Sequence, residues 1–233
     1  YSSEDKYQGN VYYDYVLGLY DFLERLNKNY PDILIEGCSG GGGRFDAGML
    51  YYTPQIWCSD NTDAIDRTKI QYGTAVGAHV SAVPNHQTGR SVSIDTRGVV
   101  AMSGSFGYEL DLGKVSEAEK NTIKEQIKTF KKEAELIHNG LYYRLSDPYK
   151  DPVAAWEFVS KDGDDVLVNV VCLKMHGNMQ PLYVRFKGLN ENVTYKDVKT
   201  GKIYPAEALM NIGMPFMPEL GEYQSWQVEL KRC

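Results

Sequence analysis

No apolar run in these 233 residues approaches the roughly twenty that a membrane-spanning helix needs. The charged, apolar and small-residue succession of a secretory signal is also missing. The chain opens on Tyr1 and a polar segment, YSSEDKYQGN, which fits a chain cut from something longer, so a missing signal says little about export. Cysteine is scarce: Cys38, Cys58, Cys172 and Cys233 show neither CxxC nor zinc-type spacing. Free thiols in a reducing compartment are the expectation. Positive charge is in deficit, with 25 Lys and Arg against 31 Asp and Glu, so a polyanionic partner such as nucleic acid is not expected.

What the chain has in excess is tyrosine, 18 residues of it, a residue that serves both sheet formation and the stacking of sugar faces. Residues 10–29 place Val11, Tyr15, Leu19, Phe22 and Leu26 at spacings of three and four, which predicts an amphipathic helix closed by Pro31. Strands are expected at Ile33–Ile35, Tyr51–Trp57 (with Pro54 near its start), Val76–Val83 and Val99–Met102. Thr62 or Asp63 is placed to cap a helix through Ile65, Ile70 and Tyr72. Ser116 and Glu119 form a capping box for a helix carrying Ile123, Ile127, Phe130, Ala134 and Ile137, with His138-Asn139-Gly140 as its stop.

After about Leu145 the pattern changes to short strands. Asp162-Gly163 and Thr200-Gly201 mark turns, and PLYVRFKGL, VTYKDVKTGKIY and YQSWQVEL read as strands. The first part therefore reads as parallel βα units and the tail as an antiparallel sheet, divided near SDPYKDP. Four strands are half of what a closed (β/α)8 barrel requires.

The chemistry-bearing stretch is EGCSGGGGRFDAGMLYYTPQIWCSDNTDAIDR, Glu36 to Arg67. Gly40 to Gly43 lack the lysine of a phosphate loop and match a dinucleotide pattern only as any glycine run does. Close backbone approach to a polar ligand, or a flexible turn, are the other readings. Asp60 follows an apolar run ending near Trp57, where a strand end would display a general acid or base. Asp63 and Asp66, near Arg67, read as a helix cap and a solvated face. His79 and His86 lack a third ligand at metal spacing and read as loop or core histidines. Cys38 has no sequence-local partner that would make it a nucleophile.

Together, YVLGLYDFLERL, CSGGGGRFD, WCSDNTDA, KIQYGT, GAHVSAVPNHQTGR, SGSFGYELDL, NGLYYRLSDP, LVNVVCL, ALMNIGMPF and EYQSWQ resemble glycoside hydrolase family 36, the bacterial-type α-galactosidases, in the family's order and over nearly the whole chain. The resemblance implies a retaining exo-α-galactosidase that removes terminal galactose from melibiose and raffinose-type oligosaccharides. It implies an α/β region, residues 1–145, as strands 5–8 of a (β/α)8 TIM barrel with their helices, followed by a C-terminal antiparallel β-sandwich, 146–233. Asp60 would be the general acid/base. Cys38, Ser39 and Gly40, with Trp57, would line the galactose pocket. A retaining glycosidase sets two carboxyl groups roughly 5–5.5 Å apart across the anomeric carbon, and the acid must be protonated in the resting enzyme.

The family's nucleophile lies in a KWDMNR-like motif at the fourth barrel strand, and no such motif occurs in these residues. The Gln71–Gly77 stretch is also shorter than the family pattern. The expectation is therefore a C-terminal portion that needs its upstream half. The alternatives are a galactosyl transferase of the raffinose or stachyose synthase type, or a non-catalytic fragment with weak sugar binding. No cofactor or metal is expected. The expected partners are an α-galactoside oligosaccharide and the upstream half, with room for a homo-oligomer, no nucleic acid and no membrane. A bacterial cytoplasmic location is implied.

Overall fold

The computed structural model describes residues 8–75, 77, 79–219 and 221–233. The opening YSSEDKY and the positions Val76 and Ala78 lie outside the described residues, so the expected third strand and the shortened connection are visible only in part. The chain forms two compact units, residues 1–60 and 61–233.

The first unit holds α1 (Gln8–Asn29), β1 (Glu36–Gly37), α2 (Ala47–Tyr52) and β2 (Gln55–Ile56). β1 and β2 pair in parallel, Gly37 opposite Ile56, as the alternating pattern requires. The strand expected at Ile33–Ile35 forms one step later. The run expected as a strand from Tyr51 is split: Asp46 accepts the Met49 amide and caps α2, so Tyr51 and Tyr52 end a helix and β2 begins only after Pro54. On α1 the forecast face is largely uncovered. Val11, Tyr15 and Phe22 are exposed, and the buried contact is made by Leu23.

The second unit opens with α3 (Ala64–Thr74), β3 (Val80–Ser81), α4 (Ile94–Ala101), β4 (Tyr108–Glu109) and α5 (Glu117–Asn139). β3 and β4 pair in parallel. Val99–Met102, expected as a strand, belongs to α4 and its C-cap. Ser93 caps this helix by accepting the Thr96 amide, and Ile94, Thr96, Arg97, Gly98, Val100 and Ala101 are all buried. A helix buried on most sides carries no amphipathic stripe, so its apolar run reads locally like a strand. The capping box of α5 forms as the sequence predicts. Gly140 ends α5 at φ −74°; it is required for space, because a Cβ there would stand 2.4 Å from the Leu136 carbonyl oxygen and 2.9 Å from that of Val159.

The change to strands comes at β5 (Leu141–Arg144), which pairs antiparallel with β6 (Val153–Val159), a few residues before the expected 145/146 division. β6 is followed by β7 (Asp165–Cys172), β8 (Leu182–Val184), β9 (Thr194–Asp197), β10 (Ile203–Pro205), α6 (Ala206–Asn211), β11 (Met214–Phe216) and β12 (Ser225–Arg232). Six of these strands form one sheet in the order β10-β9-β12-β7-β6-β5, and β8 and β11 form an antiparallel pair. Both predicted turns are present, with Gly163 at φ 77° and Gly201 at φ 73°.

The large sheet is buried on both faces, and the two-residue period of a strand sorts its side chains. Ala154, Trp156, Phe158, Leu167 and Val171 pack with Ile65, Val100, Met102 and Ile137 on the helical side. Val153, Ala155, Val168 and Val170 pack with Val184, Phe186, Leu209, Met214 and Phe216 on the other.

Candidate active site

The glycine loop and the carboxylate meet at the ends of the parallel pair. Past β1 the chain enters Cys38–Gly43, while β2 runs on through Trp57 to Asp60. The Trp57 amide donates to the Gly37 carbonyl at 2.7 Å, extending the pairing by one residue. The loop then turns through left-handed backbone: Ser39 at φ 79°, Gly40 at 61°, Gly41 at 74° and Gly42 at 98°. Glycine takes up such angles freely; serine does not, and strained serines of this kind gather at functional sites. The turn is closed by the Gly43 amide donating to the Ser39 carbonyl at 3.0 Å.

Three of the glycines have a backbone atom against them; for Gly43 it is the Ser39 carbonyl oxygen, 2.7 Å from where a Cβ would stand. A Cβ on Gly41 would stand 2.4 Å from the Asp60 amide nitrogen and 3.0 Å from its carboxyl carbon. A Cβ on Gly42 would stand 2.2 Å from the Cys58 carbonyl oxygen. Gly40, the glycine singled out from the sequence, has nothing within 4 Å. The unbroken run of four glycines signals close approach without saying which of them is approached. Trp57 reaches the same place: its indole Nε1 donates to Asp60 Oδ1 at 2.7 Å. Asp60 and Cys38 are exposed, and Ser39, Trp57 and Cys58 are half-buried. The structure therefore brings Trp57, Asp60 and the glycine loop together. Among the described residues none of the four cysteines forms a disulfide.

The other acidic groups here have structural employment. Asp46 caps α2 and accepts the Tyr20 hydroxyl at 2.9 Å; its hydrogen bond from the Met49 amide holds the carboxyl below the usual range. Glu36 accepts from Gln55 at 3.0 Å.

In the second unit Asp63 is the cap of α3, accepting the amides of Ile65 and Asp66. It is 1% exposed, and the guanidinium that meets it is that of Arg90, from the PNHQTGR loop. That pairing had no local signal, since the partners are 27 residues apart. His79 Nε2 lies 2.9 Å from Glu109 Oε2, and His86 is exposed. Among the described residues no group of three or more His, Cys, Asp or Glu could hold a metal ion, and no helix is long and apolar enough to cross a membrane.

Residues 1–140 match the Melibiase family, and residues 153–230 match the glycosyl hydrolase family 36 C-terminal domain. The bifunctional alpha-galactosidase/sucrose kinase AgaSK of Mediterraneibacter gnavus is 58% identical, over 100% of this chain and 26% of that protein. Alpha-galactosidase AgaA of Geobacillus stearothermophilus is 47% identical, over 93% of this chain and 31% of its own length. The solved galactosidase domain of AgaSK superimposes with a TM-score of 0.90 at 56% identity, covering 97% of this chain and 32% of that one. An AgaA variant solved in complex with raffinose gives 0.90 at 44% identity, covering 100% of this chain and 33% of that one. The chain spans about a quarter to a third of the length of these relatives. On both family matches and these identities, the chain belongs to glycoside hydrolase family 36.

Proposed function

We propose that this chain is the C-terminal part of a retaining exo-α-galactosidase acting on raffinose-type oligosaccharides, with Asp60 as its general acid/base. The observation that carries the reading is Asp60 at the end of a parallel strand pair, packed against Gly41 and hydrogen-bonded to Trp57. Strand ends are where barrel enzymes keep their chemistry. Structures of the relative AgaA with raffinose and with stachyose support the substrate class.

In this reading β1 to β4 are the fifth to eighth strands of a (β/α)8 barrel, β4 replacing the strand first expected at Val99–Met102. The six-stranded sheet and the β8–β11 pair form the C-terminal β-sandwich. The remaining barrel supplies the nucleophile and covers the exposed apolar residues of α1. Hydrolysis then runs through two inversions. The upstream carboxylate attacks the anomeric carbon from one side as Asp60 protonates the departing glycosidic oxygen. Asp60, now ionised, takes a proton from water, which attacks the glycosyl-enzyme and releases galactose with its α configuration. Cys38, Ser39 and Gly40 line the sugar pocket, and Trp57 orients the Asp60 carboxyl.

The test is hydrolysis of a chromogenic α-galactoside by this chain alone and by the full-length enzyme that contains it. The reading expects turnover only from the full-length enzyme, because one carboxylate cannot both attack and protonate. Turnover by the 233 residues alone, or none by the full-length enzyme, would refute it. Adding acceptor sugars and analysing products separates hydrolase from transferase.

A further inference from the structure

The segment that follows Asp60 in the chain is gripped by a loop from elsewhere in the second unit. The Thr62 amide donates to Gln87 Oε1 at 3.0 Å, and Asn85 Nδ2 donates to Thr62 Oγ1 at 3.1 Å. Thr88 Oγ1 donates to Asp63 Oδ2 at 2.7 Å; Arg90 Nη1 donates to Asp63 Oδ1 and stands 3.5 Å from Asp66 Oδ1. The loop is held in shape by Asn85, whose Oδ1 accepts the amides of Gln87 at 3.0 Å and Thr88 at 3.1 Å.

A second part of the fold stands behind this grip. The Tyr223 ring, from the link between β11 and β12, lies 5.5 Å from the Arg90 guanidinium carbon. Tyr223 is itself fixed: its backbone is left-handed at φ 58°, and its carbonyl accepts Thr96 Oγ1 at 2.7 Å. Capping α3 needs only the Asp63 carboxylate and the two amides it accepts. The cation and the aromatic ring exceed that need. What they add is a fixed direction for Asn61–Asp66, since an arginine ion pair with a buried carboxylate permits few geometries.

We infer that Arg90 and Tyr223 are positioning residues for the acid/base segment, so that the C-terminal sheet region takes part in aiming the proton of Asp60. The inference rests on the reading of Asp60 given above. A general acid works only when its proton is directed at the leaving oxygen, and a misplacement of about 1 Å costs on the order of 10²-fold.

The leaving group distinguishes aiming from folding. A dinitrophenolate departs without a proton, whereas the sugar alkoxide of raffinose requires one. In the full-length enzyme, Arg90→Leu, Tyr223→Ala and the milder Thr88→Val are measured on both 2,4-dinitrophenyl α-galactoside and raffinose. The expected result is a fall in kcat/KM of about tenfold or more on raffinose, with a change under about threefold on the aryl substrate. Equal losses on the two substrates, or no loss on raffinose, would overturn the inference while leaving the galactosidase reading intact. If Arg90→Leu fails to fold, Tyr223→Ala carries the same comparison, since it removes the ring behind Arg90 and keeps the ion pair. An unsubstituted enzyme inactive on both substrates would overturn the galactosidase reading and this inference with it.

Discussion

The indole Nε1 of Trp57 donates a 2.7 Å hydrogen bond to Oδ1 of Asp60, three residues further along the chain. It restricts the carboxyl rotor. Trp57→Phe keeps the ring and deletes the donor. A hydrogen bond to a charged group contributes about 1.5–3 kcal/mol, so kcat/KM on raffinose in the full-length enzyme should fall about tenfold or more. An unchanged value would show that the bond does not orient the acid.

Gly41 sits where a side chain has no room. At φ 74°, with the Asp60 amide nitrogen 2.4 Å from the Cβ position, Gly41→Ala meets both strain and a backbone that cannot swing aside. Activity should fall by at least about tenfold, since the displaced atoms are those of Asp60. Gly40→Ala shares the left-handed strain at φ 61° but meets nothing within 4 Å, so it should lose less. Kinetics on the pair of variants decides it, and equal losses would contradict the packing argument.

Asp63 and Asp66 look alike in the sequence but differ in burial. Asp63 is 1% exposed and pairs with Arg90, whereas the Asp66 side chain is 35% exposed. Removing one partner of a buried ion pair costs about 3–5 kcal/mol, and a half-exposed pair contributes about 1 kcal/mol or less. Urea unfolding should therefore show Asp63→Ala losing several times the stability that Asp66→Ala loses. Comparable losses would mean that Arg90 divides its charge evenly between the two.

How much of this could be read in advance followed from how local each cause was. The capping box of α5, the Asp63 cap and the Asp162-Gly163 and Thr200-Gly201 turns depend on residues a few positions apart, and all formed as expected. The strand end at Trp57 and Asp60 was legible because an apolar run stopped at carboxylates. α4 was not, because its buried sides hide the helical period. The stripe on α1 was read correctly as a helix, and its Val11, Tyr15 and Phe22 are exposed. The Arg90–Asp63 pair and the distinction among the four glycines depend on segments brought together only by folding.

The large sheet hides a carboxyl that the proposed chemistry does not use. Glu157 on β6 is 0% exposed; one oxygen accepts the Lys187 amide at 2.6 Å. Burial pushes its pKa from 4.5 up to about 8, so the folded protein holds a proton there that the unfolded chain releases. Between those values the folded state binds more protons, so stability falls as pH rises from about 4.5 to about 8 and levels off above. Glu157→Gln, which cannot ionise, should lose this slope and exceed the parent above pH 8 by up to about 3–5 kcal/mol. Chemical denaturation at pH 5 and pH 9 checks it; parallel pH dependence in both proteins would contradict it.

The central claim is that Asp60 is the acid/base of a retaining α-galactosidase, and azide rescue of Asp60→Ala in the full-length enzyme tests it most directly. Without the carboxylate, hydrolysis of raffinose should fall about 10²–10⁴-fold. With 2,4-dinitrophenyl α-galactoside, whose leaving group needs no proton, the glycosyl-enzyme should still form and then stall for want of a base. Azide needs no base, so it should restore turnover and yield α-galactosyl azide, the product of two inversions. Full raffinose hydrolysis by Asp60→Ala, or azide leaving the rate unchanged, would contradict the assignment.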